Sequence, residues 1–315
     1  MNILSFFVII PLLMLGALWA ARNINQVRGV MVVGSSLLLA LSVYLTIDYL
    51  ALRQAGETAE MLYTASTSWY APLHICYSVG VDGISVAMLL LSSIIVFTGT
   101  FASWQLKPMT KEYFLWFTLL SAGVFGFFIS TDLFTMFMFY EVALIPMYLL
   151  IGVWGSGQKE YATMKLTLML MGGSAFLLIG ILGIFYGAGG DTMNLLDIAQ
   201  RHIPTEMQEL FFPLIFLGFG VLGALFPFHT WSPDGHASAP TAVSMLHAGV
   251  LMKLGGYGCF RVAMYLMPEG AEMWGNFFLI LTTISVVYGA FSAVVQTDLK
   301  YINAYSSVSH CGLVL

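Results

Sequence analysis

Residues 227–261 read PFHTWSPDGHASAPTAVSMLHAGVLMKLGGYGCFR, and this stretch decides the fold. Its first half places Pro227, Pro233 and Pro240 in an apolar run, so a helix that arrives there cannot continue unbroken. Its second half is an apolar segment long enough to cross a bilayer, with Lys253 near its middle. The stretch therefore predicts a broken membrane helix followed by a complete one.

The composition is that of a membrane protein. Of the 315 residues, 59% are hydrophobic and 9% are charged, whereas a soluble domain has about 25% charged residues. The net charge is −5 and no basic run is present, which excludes nucleic acid as a partner. The three cysteines are too far apart for a CxxC motif, so we expect no iron–sulfur centre in this chain. We expect no other cofactor to be bound by it either.

A membrane helix needs about 20 mostly apolar residues, and the chain has ten such segments, the last of them incomplete. The first lacks the features of a cleaved signal peptide, so we interpret it as a retained span. The tenth is still apolar at Leu315, and we expect the natural chain to continue. The predicted spans lie near residues 3–21, 29–52, 82–104, 113–130, 132–154, 164–187, 209–229, 241–266, 274–296 and 301–315.

Lysine and arginine concentrate in loops that face the cytoplasm. Even-numbered loops contain only Arg53 and Arg201. The distribution predicts that odd-numbered loops are cytoplasmic and that the N-terminus is outside. The longer even loops, 53–81 and 188–208, are expected to form an external polar cap or surface helices. The odd-numbered loops contain Arg22, Arg28, Lys107, Lys111, Lys159, Lys165 and Lys300.

Ionisable side chains lie near the middle of three predicted spans. Glu141, Lys253 and His310 are expected at about the same depth, and His247 precedes Lys253 by six residues. A charge at mid-membrane costs about 2.5–3.5 kcal/mol even on an insertion scale, which favours a functional role for such groups. We interpret them as a row that exchanges protons. The alternative is a set of structural ion pairs and core histidines, and Lys165 lies close enough to a cytoplasmic end to reach water.

The broken stretch also contains His229, Asp234 and His236. Their spacing allows metal binding, but the stretch has no second carboxylate or thiolate to complete a tetrahedral set. We do not predict a metal site there.

Four stretches of the chain resemble one protein family. They are VGVDGISVAMLLLS at 79–92, MFYEVALIPMYLLIGVWG at 138–155, residues 227–261, and QTDLKYINAYSSVSHCG at 296–312. The chain resembles the M subunit (NuoM type) of respiratory NADH:quinone oxidoreductase, complex I, within the superfamily of antiporter-like subunits. The resemblance implies an all-α polytopic fold of about fourteen helices, ten of them here, with inverted five-helix repeats and a broken seventh helix.

The resemblance also implies a division of the chain and of the complex. Residues 1–112 would form helices 1–3, residues 113–266 the first repeat, and residues 267–315 the start of the second. Other membrane subunits would flank the chain on both sides in a bacterial plasma membrane, with lipids around it. NADH, FMN, iron–sulfur clusters and quinone would be bound by other subunits of the complex.

Roles for single residues follow from the same resemblance. Glu141 would be the key glutamate of the fifth helix, Lys253 the lysine of the eighth and His310 part of the central axis. Lys165 matches the lysine that opens the sixth helix, and His247 is similar to the eighth-helix histidine of the L-type relative. In this family such residues relay protons, in a redox-driven translocase whose electron transfer occurs in other subunits.

One position departs from the family pattern. The seventh-helix lysine that usually pairs with the fifth-helix glutamate is replaced by Leu222. We therefore expect no direct salt bridge at Glu141 and a polar, hydrated pocket around it, with Lys165 as the nearest substitute cation. Three alternatives stay open: a subunit of a cation/proton antiporter or membrane-bound hydrogenase, a structural subunit that has lost proton transfer, and an independent solute transporter.

Overall fold

A computed structural model of the chain describes residues 2–315. Helices form the membrane part, and a two-stranded sheet lies outside it. The helices are α1 (Phe6–Ala20), α2 (Ile24–Gln54), α3 (Gly83–Ala102), α4 (Thr110–Ile129), α5 (Leu133–Trp154), α6 (Lys159–Gly187), α7 (Leu195–Ala199), α8 (Thr205–Leu222), α9 (Trp231–Ser238), α10 (Thr241–Leu246), α11 (Met252–Gly258), α12 (Pro268–Val295) and α13 (Leu299–Val314).

The predicted spans are confirmed as helices. Eight helices are long and apolar enough to cross a membrane. The predicted eighth span is also helical, but it alternates α10 and α11 with two π-helical stretches, His247–Leu251 and Cys259–Met264. The tenth predicted span is α13. The predicted break in the seventh span is confirmed, because α8 ends at Leu222 and α9 begins at Trp231.

Aspartates begin three of the helices. The side chain of Asp82 accepts the Ser85 N–H at 2.8 Å, and Asp132 accepts the Thr135 N–H at 2.9 Å. Asp298 caps α13 in the same way. An N-terminal aspartate satisfies an amide that has no partner within the helix and complements the helix dipole. These caps fix where α3, α5 and α13 start along the chain.

Of the two alternatives expected for the loop 53–81, the surface helix does not form, and the external polar cap stays a prediction. This loop forms an antiparallel hairpin of β1 (Leu62–Tyr70) and β2 (Ile75–Val81). Its sequence is rich in Thr, Val, Tyr and Trp, which favour strands. The other long loop does contain a surface helix, because α7 forms within residues 188–208.

Helix α4 lies at the centre of the bundle and is mostly buried. Helices α2 and α12 instead present exposed apolar side chains such as Ile47 and Phe291. Close approach depends on small residues. A Cβ atom added at Gly255 of α11 would lie 2.4 Å from the Gly223 backbone nitrogen. The backbones of α8 and α11 are therefore in direct contact beside the helix break.

The loops gather at two opposite ends of the bundle, as consecutive spans require. At one end, Lys111 Nζ donates to the Trp19 carbonyl at 2.8 Å and Trp154 Nε1 donates to the Pro108 carbonyl at 2.8 Å. At the other end, the Cys76 N–H donates to the Asp132 carboxylate at 3.1 Å. The loops at the first end are the odd-numbered loops of the sequence, and those at the second end are the even-numbered loops. The assignment of one end to the cytoplasm stays a prediction. The boundary between the repeats also stays a prediction.

The two ends can be assigned by labelling a matched pair of positions. Gln158 is exposed at the α5–α6 end and Gln200 is exposed just after α7. In a Cys76→Ser background, we expect Gln158→Cys to react with an impermeant maleimide only from the cytoplasm and Gln200→Cys only from outside, because of the Lys/Arg asymmetry. Labelling of both positions from one side would contradict the topology.

The contact at Gly255 predicts a substitution effect that depends on position. Gly255→Ala should lower the thermal unfolding midpoint of the purified protein, because its methyl group meets backbone atoms that cannot move aside, at a cost of about 1–3 kcal/mol. Gly172→Ala is the matched control, since a Cβ atom there has no neighbour within 4 Å among the described residues. We expect the control midpoint to stay at or above that of the wild type; equal midpoints would contradict the close packing.

Candidate functional site

The helix break between Leu222 and Trp231 lies in the packed interior of the bundle. The Trp231 indole N–H donates to the Val221 carbonyl at 3.0 Å, and the Phe226 N–H donates to Ser285 Oγ on α12 at 2.7 Å. These contacts satisfy backbone groups that the break takes out of the helix, as is necessary inside a membrane. Leu222, the last residue of α8, is fully buried. The position of the usual family lysine is thus an apolar part of the core.

Two histidine rings lie next to each other beside the helix break. His247, in the first π-helical stretch, stacks on Trp231 with ring centroids 5.3 Å apart and an interplanar angle of 4°. The ring of His236 on α9 stands at 86° to the ring of His247, at a centroid distance of 5.9 Å. His236 Nδ1 lies 2.8 Å from the Ser244 hydroxyl of α10. We call His236, Ser244 and His247 the histidine cluster.

Lys253 follows His247 of the histidine cluster by six residues. Its ammonium group donates to the Ala248 carbonyl at 2.5 Å, within the first π-helical stretch. π-helical turns are rare and occur frequently at functional sites. The Cys311 thiol of α13 lies beside the ammonium group. His310, the neighbouring residue, is exposed on another face of α13 and does not join Lys253.

Glu141 is separate from the other candidates. No Lys, Arg or His nitrogen of residues 2–315 lies within 4.0 Å of its carboxylate. One carboxylate oxygen is buried and has no hydrogen-bond partner in the described part of the chain, while Ser174 of α6 lies nearby. Lys165 does not substitute for the absent lysine.

Lys165 forms an ion pair with Asp234, at a distance of 2.7 Å between Nζ and Oδ2. The Tyr301 hydroxyl of α13 donates to the other carboxylate oxygen at 3.3 Å. The Lys165 ammonium also lies 5.4 Å from the centroid of the Tyr161 ring. The expectation that Lys165 simply extends to water is therefore incomplete, because its charge anchors α9 to α6. We call Lys165, Asp234 and Tyr301 the α9 anchor.

Sequence reasoning placed His236 and Asp234 in the break but gave them no partners. The three residues considered as metal ligands have different partners in the structure. Asp234 pairs with Lys165, His236 contacts Ser244, and His229 packs between the rings of Phe226 and Tyr288. The signal available in the sequence was an acid and a lysine predicted near the same membrane end.

The fold and these groups define a multi-pass membrane protein of the antiporter-like class. The family model described as "NADH:quinone oxidoreductase/Mrp antiporter, TM" matches residues 130–315. The chain belongs to this family.

Relatives at the level of sequence carry quinone-oxidoreductase names. The chain is 39% identical over 260 residues to "NAD(P)H-quinone oxidoreductase chain 4 3" of Picosynechococcus sp., covering 82% of this chain and 47% of that protein. It is 36% identical over 265 residues to "NADH-quinone oxidoreductase subunit M" of Rhodobacter capsulatus, covering 81% and 51%. The chain spans about half the length of the curated relatives it matches.

The same architecture occurs in a solved structure. A chain of respiratory complex I from Thermus thermophilus superposes with a TM-score of 0.87 and 25% sequence identity, covering 98% of this chain and 63% of that one. This likeness supports the predicted antiporter-like fold across the whole length described.

The α9 anchor predicts how α9 responds to loss of charge. Asp234→Asn should speed hydrogen–deuterium exchange of the amides in residues 231–238, because it removes the charge that holds Lys165 and weakens the contact with Tyr301. Asp197→Asn, in α7, is the control and should leave that exchange at the wild-type rate. Unchanged exchange in Asp234→Asn would show that the ion pair does not hold α9.

Proposed function

We propose that this chain is part of a proton-translocating membrane subunit of a NADH:quinone oxidoreductase. Protons would pass through groups inside the membrane, and electron transfer in other subunits would drive them. The proposal takes Lys253 as the central proton-transfer group, with Glu141, His247, His310 and Lys165 as further members of the route. The family and the names of the two relatives support this class of activity.

The proposal depends on the position of Lys253 and on the groups around it. It lies in the middle of a span, and no carboxylate among the described residues is within 4.0 Å of it. Lys165 and Arg261, by contrast, are ion-paired with Asp234 and Asp82. The Lys253 ammonium group instead donates to the Ala248 carbonyl and lies beside the Cys311 thiol, so no ion pair fixes it in place.

We assign electron transfer and cofactor binding to other subunits of the complex. We place this subunit in a bacterial plasma membrane with its N-terminus outside, between further antiporter-like subunits. NADH, FMN, iron–sulfur clusters and quinone would be bound elsewhere in the complex, and this chain would bind none of them. A mass-spectrometric census of the purified complex tests these partners: other antiporter subunits or a nickel–iron hydrogenase in their place would contradict the assignment.

A structural subunit without proton transfer is the second candidate, and Leu222 is the observation that favours it. A buried leucine removes the usual seventh-helix cation and leaves Glu141 unpaired. The two candidates differ in what they predict for Lys253, because a purely structural subunit has no need for a titratable group at that position.

Lys253→Ala tests the proposed function. The variant should lower proton pumping and coupled electron flow in membrane vesicles while the complex assembles normally, because the substitution removes the transferable proton. Lys107→Ala, which alters an exposed lysine in the α3–α4 loop, is the control and should pump as the wild type does. Full pumping by an assembled Lys253→Ala complex would favour the structural candidate.

A further inference from the structure

Four polar side chains of the eighth span follow one another at intervals of four residues. They are Lys253, Tyr257, Arg261 and Tyr265, and they lead from the middle of the span towards the end of the bundle that carries the hairpin. In an α-helix residues four apart overshoot a full turn, and the wide π-helical turn of Cys259–Met264 offsets that drift. The Arg261 guanidinium accordingly lies 5.7 Å from the Tyr257 ring centroid and 5.8 Å from the Tyr265 ring centroid. We call these four side chains the polar stripe.

The polar stripe ends at a cavity that water can enter. Tyr265 lines a cavity of about 500 Å³ together with Glu60, Thr64 and Gln200, and the side chains of Glu60 and Gln200 are exposed. The Tyr265 hydroxyl lies beside the Glu60 carboxylate. A tyrosine hydroxyl both donates and accepts hydrogen bonds, so it can exchange protons with water in the cavity. The polar stripe therefore extends from a mid-membrane lysine to a surface that water reaches.

Tyr257 is the member of the stripe next to Lys253. It is buried, and its hydroxyl lies 2.9 Å from Ser85 Oγ of α3. Two neighbouring hydroxyls of this kind can pass a proton by donating one hydrogen bond while accepting another. A proton that leaves Lys253 towards the hairpin end can thus reach Tyr257, and the next member, Arg261, decides whether it continues.

Arg261 forms an ion pair with Asp82, whose side chain also caps α3. The two side chains are only 10% and 17% exposed. An arginine does not release its proton in a protein. One Asp82 oxygen binds the guanidinium and the other accepts the Ser85 N–H at 2.8 Å, so protonation of Asp82 would leave a buried guanidinium without its partner, which is costly. Neither member of the intact pair can pass on a proton.

The ammonium group of Lys253 is directed away from this pair. It donates to the carbonyl of Ala248, five residues towards the helix break, whereas Arg261 follows eight residues later. At a rise of 1.5 Å per residue, about 12 Å of helix separates the two basic residues. A fixed guanidinium repels a further positive charge, which is how arginines in narrow pores exclude protons and cations.

We propose that the Arg261–Asp82 ion pair is a proton barrier, which separates Lys253 from the water at the hairpin end of the bundle. This inference rests on the proposed function, in which Lys253 holds the proton. The guanidinium blocks the polar stripe because it has no proton to exchange and because its charge opposes a proton on Tyr257. Asp82 holds the guanidinium across the stripe. The barrier keeps the proton of Lys253 from escaping through this half of the protein.

Passive proton entry into liposomes tests the barrier. The purified complex is reconstituted without an electron donor, a potassium diffusion potential drives protons inward, and a trapped pH dye reports them. We expect Arg261→Gln to raise the rate of entry several-fold, because a neutral amide lets water connect the two tyrosines. Arg261→Lys keeps a positive charge beside Asp82 and should stay near the wild-type rate. Arg201→Gln, which breaks the exposed ion pair with Asp191 between α6 and α8, is the matched control and should not leak.

A second variant keeps the test decisive if Arg261→Gln does not assemble. Asp82→Asn combined with Arg261→Gln removes both charges with little change of volume and leaves no charge unpaired. Asparagine is as good an N-terminal cap as aspartate, so the start of α3 is preserved. We expect the same several-fold rise in passive proton entry in this variant.

The outcomes separate the barrier from the function itself. Addition of Lys253→Ala to the leaking variant should return proton entry to the wild-type rate, because the leak passes through the lysine. Wild-type entry in the assembled charge-free variant, or a leak that persists without Lys253, would overturn the barrier even where Lys253→Ala abolishes coupled pumping. Normal coupled pumping in Lys253→Ala would instead reject the proposed function, and with it the need for a barrier.

Discussion

The need to satisfy every backbone polar group away from water governs this structure. Continuous helices meet that need within themselves, and the chain departs from them between α8 and α9. There, an indole N–H and a serine hydroxyl from other parts of the chain take up the freed groups. The Trp231 ring that takes part in this packing also stacks on His247. His247 in turn lies beside His236 and six residues before Lys253.

Most of the fold could be predicted from the sequence, because apolar length is a local property. The break was visible through three prolines, and the spans through runs of apolar residues. The hairpin was missed because its polar strands lack a strong apolar alternation, so a loop and a strand look alike there. The π-helical stretches were also missed, since their residues read as ordinary helix.

The candidate site was predicted in part. Lys253 and Glu141 are conspicuous because charges are rare in spans. Their partners are not, because contacts such as that between Lys165 and Asp234 join residues 69 positions apart. The expected single row of groups also came from counting depth along straight helices. Depth cannot reveal which face a residue occupies, and His310 turns out to face away from Lys253.

The π-helical stretches on either side of Lys253 change the geometry of the whole eighth span. An α-helix turns about 100° per residue, and each wide turn holds one residue more than an α-helical turn. Side chains before and after His247–Leu251 are therefore rotated out of the register that a regular helix would give. A helical wheel drawn for residues 241–266 consequently assigns wrong relative directions to His247, Lys253 and Arg261.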